Sequence, residues 1–253
     1  MNRPTGPTYA PSFRPLVQQL RGTAPRPEPV LLSATGADGP PPRRSPRIDY
    51  LIDRIPAGAS VLDLGCSGGD MLYHLQAERR AEVCGLEQRE EAVRLCRARG
   101  VRAHQTDVDN LADPALTYAL SRRWDVVLAI DTIFYWRFPA VIFAALADRV
   151  GRIYITVGNS AHIKLRWDAL LGRCDTWPNC KRAAAVTEYD ADFTVTGRWT
   201  LAGFIEWAGG LGYDCRLAAR RSIQARYVRP SPFPGLLDRA FLFELTPRLP
   251  LPL

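Results

Sequence analysis

The chain has 253 residues, 47% hydrophobic and 23% charged, which suits one large domain with a packed core. No apolar run reaches the length of a membrane span, and the N-terminus has no signal-peptide core, so the expectation is a cytoplasmic protein. The net charge of +7 does not indicate a nucleic-acid binder, because residues 1–47 hold +5 of it and the remaining chain only +2.

Those first 47 residues also contain 11 of the 21 prolines and end in GPPPRRSPR. A segment of that composition cannot bury enough apolar surface to offset its ordering entropy, so it reads as flexible, with a short helix around PLVQQL. A tail that docks on a partner or closes over a site is the alternative. The domain is expected to span 48–247, followed by a proline-rich tail at 248–253.

Apolar residues at helical spacing (Ile48, Leu51, Ile52, Ile55) precede the strand SVLDL. Helix and strand patterns then alternate. Helices near 69–79, 89–98, 113–122 and 138–148 separate the strands VCGLE, VRAHQT, WDVVLAI and RIYITV. That rhythm predicts a doubly wound α/β fold, a Rossmann-like parallel sheet covered on both faces. Residues 158–198 break it as a polar insertion. A helix near 199–210 and strands near 213–222 and 239–246 complete the chain. The six cysteines are scattered, mostly within apolar stretches, which predicts reduced, buried thiols and no zinc site.

In an open parallel sheet, ligands bind beyond the carboxyl ends of the strands. The first strand runs into Gly65-Cys66-Ser67-Gly68-Gly69 and then a helix, a turn that lets backbone approach a ligand. A glycine is usual at the middle position, and Gly68 is expected to supply the flexibility that Ser67 lacks. The second strand ends at Glu87, 24 residues after Asp63, where a carboxylate can accept both hydroxyls of a ribose. The third ends at Asp107, suited to the exocyclic amine of an adenine. A dinucleotide turn (G-x-G-x-x-G) and a phosphate loop (G-x-x-x-x-G-K-[ST]) are both absent, so the pattern suits an adenosine without a pyrophosphate.

VLDLGCSGGD, GLE, DVD and WDVVLAIDTIF together resemble the successive motifs of class I S-adenosylmethionine-dependent methyltransferases. The resemblance implies a seven-stranded sheet with an antiparallel last strand and S-adenosyl-L-methionine as cofactor. It also implies Asp63, Gly65, Ser67 and Gly69 around the methionine part, Glu87 on the ribose, and Asp107 with Val108 by the adenine. Within that class, RIDYLIDRIPAGASVLDLGCSGGDMLYHL and GRIYITVGNSAHIKLRWDALLGR are similar to MetW proteins of methionine biosynthesis. The second stretch carries an N-x-x-H element and basic helix residues at Asn159, His162, Lys164 and Arg166.

Methyl transfer from a sulfonium needs positioning and dryness more than a loud catalytic motif. After the fourth strand, Asp131 would orient an acceptor amine or hydroxyl, and Tyr135 and Trp136 would wall the pocket. His162 would remove the acceptor's proton, with Asn159 and Arg166 beside the substrate. The expectation is a methyltransferase of a small-molecule acceptor, by O- or N-methylation. The alternative is a non-catalytic, MetW-like accessory protein of a homoserine O-acyltransferase, as a homodimer or in complex with that enzyme. The two differ in what they require: an open cavity lined by Asp131, Tyr135, Trp136 and parts of 158–198, or a shallow site with an exposed apolar patch.

Overall fold

The computed structural model describes residues 14–21, 40–171, 199–221 and 227–248. Five strands run parallel: β1 (Ser60–Leu64), β2 (Glu82–Glu87), β3 (Ala103–Gln105), β4 (Trp124–Ala129) and β5 (Val150–Gly158). Two further long strands are β6 (Tyr213–Arg221) and β8 (Ala240–Pro247), with the two-residue β7 (Tyr227–Val228) between them in the chain. The sheet order is β3-β2-β1-β4-β5-β8-β6-β7. β8 lies antiparallel to both β5 and β6, which gives the seven-stranded pattern with a reversed last strand. β7 adds a short eighth strand on the edge of β6.

The chain order of elements follows from local chemistry. β1, β2, β4 and β5 are almost wholly apolar because both of their faces are covered. On one face lie α2 (Pro46–Ile52), α3 (Asp70–Arg79) and α4 (Glu90–Ala98), packing Leu51, Leu72, Leu75 and Val93 on Val61, Val83 and Val126. On the other lie α5 (Pro114–Ser121) and α6 (Pro139–Leu146), which bury Leu116, Leu120, Ile142 and Phe143 against Val127, Ile153 and Phe243. Proline stands in the first turn of both helices, and Asp113 caps α5 by accepting the Ala115 and Leu116 N–H groups. The helix Leu201–Gly210 starts at Thr200, whose hydroxyl accepts the Gly203 N–H, and packs Phe204 on Phe243.

Two parts of the N-terminal segment are packed against the domain rather than free. α1 (Arg14–Leu20) buries Val17 and Leu20 beside α5 and α6, and Arg21 pairs with Asp148 at 2.9 Å. Residues 40–47 run across the end of α4 into α2. There the buried Arg99 donates to the carbonyls of Pro40 (3.0 Å) and Pro41 (3.4 Å), and the Arg43 N–H reaches Asp70. Prolines keep their carbonyl acceptors, so a proline-rich strap can be held by one guanidinium fork. No helix among the described residues is long and apolar enough to cross a membrane.

Candidate functional site

The carboxyl ends of β1 to β4 open into a cleft of about 630 Å³. Its floor is the turn after β1, where Gly65 (φ +85°), Ser67 (φ +49°) and Gly69 (φ +76°) take the left-handed conformation. Gly68 does not, so the expectation that it would relieve Ser67 fails: Ser67 adopts the strained conformation itself. A Cβ at Gly68 would lie 2.9 Å from Leu95 Cδ2, the far end of a side chain that can move aside. At Gly65 a Cβ would lie 2.6 Å from Thr132 Oγ1, so glycine lets the turn meet the loop after β4.

Glu87 closes β2 and is nearly buried. Its Oε2 accepts the Ser67 N–H at 2.9 Å, and its Oε1 accepts the Arg89 N–H at 3.0 Å. The neighbouring Asp63 carboxyl is 5% exposed. Burial, with a smaller push from the Glu87 charge, raises its pKa to about 7. After β3, Asp107 accepts the Asp109 N–H, and Asp109 in turn accepts the N–H groups of Arg137 (2.7 Å) and Phe138 (3.3 Å). Asp109 thereby ties the loop after β3 to the start of α6. Burial raises its carboxyl above the usual range.

After β4 the chain turns sharply. Asp131 takes φ +59° and forms an ion pair with Arg47, from the first turn of α2. A 3₁₀ turn (Ile133–Tyr135) follows, and Trp136 donates from Nε1 to Thr132 Oγ1 at 3.1 Å. Trp136 is 4% exposed and packs on Phe143, so it serves the core as well as the cleft wall. Phe134 and Tyr135 stand edge to face at 4.8 Å.

Of the residues expected at the site, Gly65, Ser67, Glu87, Asp107, Val108, Asp131, Tyr135 and Trp136 line this one cleft. Asp63 and Gly69 adjoin it without lining it. Asn159, His162 and Arg166 do not line it either. Asn159 is fully engaged: its Nδ2 donates to the carbonyls of Asp238 (2.8 Å) and Gly235 (3.1 Å), and its Oδ1 accepts the Ala161 N–H. It holds the end of β5 to the one-turn helix Pro234–Leu237. His162 accepts the Lys164 N–H on Nδ1 at 3.1 Å, a cap for α7 (Ile163–Leu170). Burial and the nearby Arg239 lower its pKa. Arg166 is exposed and bonds the Ala161 carbonyl. The rest of the expected pocket insertion, 172–198, lies outside the described residues. Arg47, Arg89 and Arg137 line the cleft without having been singled out in the sequence. Arg47 was hidden in the proline-arginine tail, and Arg89 reads as one loop charge among several.

The profile of the family described as "Methionine biosynthesis protein MetW" matches residues 46–192, more than half of the chain. The chain belongs to the MetW family. Among curated proteins, this MetW-family chain resembles ubiquinone biosynthesis O-methyltransferases over part of its length. It is 32% identical over 95 residues to that of Leptothrix cholodnii, covering 37% of this chain and 40% of the relative. It is 29% identical over 118 residues to that of Xylella fastidiosa, covering 45% and 48%. The chain thus spans less than half the length of these curated relatives. Among solved structures it resembles an S-adenosylmethionine-dependent methyltransferase from Clostridium acetobutylicum, with TM-score 0.52, 12% identity and coverage of 79% and 90%. It also resembles the N-terminal domain of EvdMO1, solved in the presence of SAH and D-fucose, with TM-score 0.51, 18% identity and coverage of 79% and 80%. These likenesses establish the class I methyltransferase fold for the MetW-family chain.

Proposed function

We propose that the protein is an S-adenosylmethionine-dependent methyltransferase acting on a small-molecule acceptor. The observation that carries this is the convergence, in one cleft, of the glycine turn, Glu87, Asp107 and the Asp131–Trp136 loop. The donor set fits the cofactor. Glu87 already accepts three N–H groups from Ser67 and Arg89 and keeps an acceptor site on Oε2 for a ribose hydroxyl. Asp107 with Val108 would meet an adenine edge, and Arg47 would offer a cation to an amino-acid carboxylate. When bound, S-adenosylmethionine supplies a methyl group on a sulfonium, already a good leaving group. The chain's residues then have to orient the acceptor and exclude water, a contribution worth about 7 to 11 kcal/mol when geometry is well held. Asp131 would hold the acceptor's N–H or O–H, with Tyr135 and Trp136 as the apolar wall. His162 lies off the cleft, so proton removal falls to Asp131 or solvent. The likeness to ubiquinone biosynthesis O-methyltransferases favours an oxygen acceptor.

Calorimetric titration with S-adenosylhomocysteine tests this directly. Heat with saturation in the micromolar range is expected; no heat at high micromolar ligand would refute it.

One observation favours the accessory reading beside it. α7 carries a stripe of exposed apolar side chains, Ile163, Trp167 and Leu170, continued by Leu171 just after it, with Phe233 and Leu237 also exposed. A homoserine O-acyltransferase or a second copy of the chain is the occupant this reading requires. Co-purification with that enzyme, lost in Trp167→Ala while S-adenosylhomocysteine binding is kept, would support it. Sedimentation of the chain alone separates out the homodimer.

A further inference from the structure

Ser67 is costly where it stands. A Cβ in the left-handed region is disfavoured by about 1 to 2 kcal/mol relative to glycine, and such strain persists only when the surroundings over-determine it. Here they do. The Ser67 N–H is held by Glu87 Oε2, and its carbonyl accepts the Cys96 thiol at 3.1 Å. Its hydroxyl accepts from Arg89 Nη2 at 3.2 Å. Arg89 then returns to Glu87, donating from its backbone N–H at 3.0 Å and from Nε at 3.3 Å to Oε1. The three residues form a closed ring of hydrogen bonds: Ser67 to Glu87, Arg89 to Glu87, and Arg89 to Ser67.

The ring also has a place in the architecture. Ser67 and Arg89 line both the cleft and a second hollow of about 390 Å³, which is bounded by Pro40, Pro41, Leu95 and Arg99. They are therefore the partition between the two.

We propose that Ser67 and Arg89 form a latch that holds the Glu87 carboxylate at the ribose end of the cleft, making Arg89 a positioning residue for the ligand's ribose. The proposal rests on the cofactor reading above and concerns the same site. It explains why a serine occupies a glycine position: the hydroxyl seats the guanidinium. A glycine would make the turn easier and leave Arg89 with one anchor fewer. Lysine at 89 could not replace arginine, because one ammonium cannot span both partners as the planar fork does.

The test uses the full chain and its Ser67→Gly, Arg89→Ala and double variants. S-adenosylhomocysteine and its 2′-deoxy analogue are titrated by calorimetry, and thermal midpoints are recorded. Ser67→Gly is expected to raise the thermal midpoint and yet weaken S-adenosylhomocysteine binding by roughly three- to tenfold, as loss of one net hydrogen bond would. Arg89→Ala should weaken it similarly, and the double variant should be no more than about twofold worse than the weaker single, since both break one ring. Each variant should also discriminate less against the 2′-deoxy analogue. Unchanged affinity in Ser67→Gly, or penalties that multiply in the double variant, would overturn the latch alone. Failure of the parent chain to bind S-adenosylhomocysteine would overturn the cofactor reading and the latch with it.

Discussion

Asp63 is the group whose titration should be easiest to see. Its carboxyl is buried beside Glu87 and pushed up to about 7. An unfolded aspartate titrates near ~3.9. The folded state therefore holds this proton more tightly than the unfolded state does. The stability it contributes is fully present below about pH 4 and is lost as pH rises through about 7. Proton linkage between those two values gives a loss of about 2 to 3 kcal/mol between pH 5 and pH 8. Asp63→Asn has the shape of the protonated carboxyl and cannot ionise, so it should lack this loss. The assay is urea denaturation of both proteins across that range, with the parent falling relative to the variant as pH rises. His104 and His162 are both shifted down and titrate in each protein, so their contributions cancel in the difference. Cys66 is held protonated throughout, by its bond to Cys96 and by burial. A parent-to-variant difference that stays constant from pH 5 to pH 8 would refute the reasoning. If a cationic ligand binds the cleft, its affinity should rise across the same window, because ionised Asp63 then has a charge to meet.

Three further outcomes can be checked. Glu87→Ala should weaken S-adenosylhomocysteine by about 1 to 3 kcal/mol in calorimetry if the carboxylate accepts a ribose hydroxyl. Unchanged affinity would remove Glu87 from the site. Gly65→Ala forces a Cβ to 2.6 Å from Thr132 Oγ1 at φ +85°. It should cost more than about 2 kcal/mol of stability by denaturation, from the left-handed backbone and the overpacking together. Arg99→Gln strips donors from the carbonyls of Gly68, Pro40 and Pro41 and leaves Asp70 without its 2.8 Å ion pair. A loss of about 2 to 4 kcal/mol is expected, with faster proteolysis at residues 40–47 as a separate readout of a released strap.

The parts of this molecule that could be read in the chain are those set by local periodicity. VLDL, VVLA and IYITV announce strands buried on both faces, and the helices between them leave a parallel sheet as the economical arrangement. Glu87 and Asp107 were legible for a related reason: the end of a strand is a place that sequence can locate, and the topology brings successive ends together. Asn159, His162 and Arg166 were placed at the pocket by resemblance, not by position on a strand end. The structure gives Asn159 and His162 to the joint after β5, where short polar side chains satisfy backbone groups that an irregular segment exposes.

The strap is the instructive failure of local reading. GPPPRRSPR has no apolar face and so looks as though nothing could hold it. What holds it is polar and comes from elsewhere: Arg99 takes its carbonyls, Asp70 takes the Arg43 N–H, and Asp131 takes the Arg47 guanidinium. None of these partners is within twenty residues of the strap, and each looks like an ordinary surface charge in its own neighbourhood. Together they bring Arg47, at the start of α2, onto the cleft wall beside Asp131. A ligand carboxylate reaching Arg47 would compete with Asp131 for the same guanidinium, and Asp131 is the residue proposed above to orient the acceptor. Binding the amino-acid end of the cofactor and freeing the acceptor-orienting carboxylate would then be one exchange of partners, which predicts that cofactor must bind before acceptor. Initial-rate kinetics with a non-methylatable acceptor analogue can decide it: inhibition uncompetitive with cofactor fits that order, and noncompetitive inhibition excludes it.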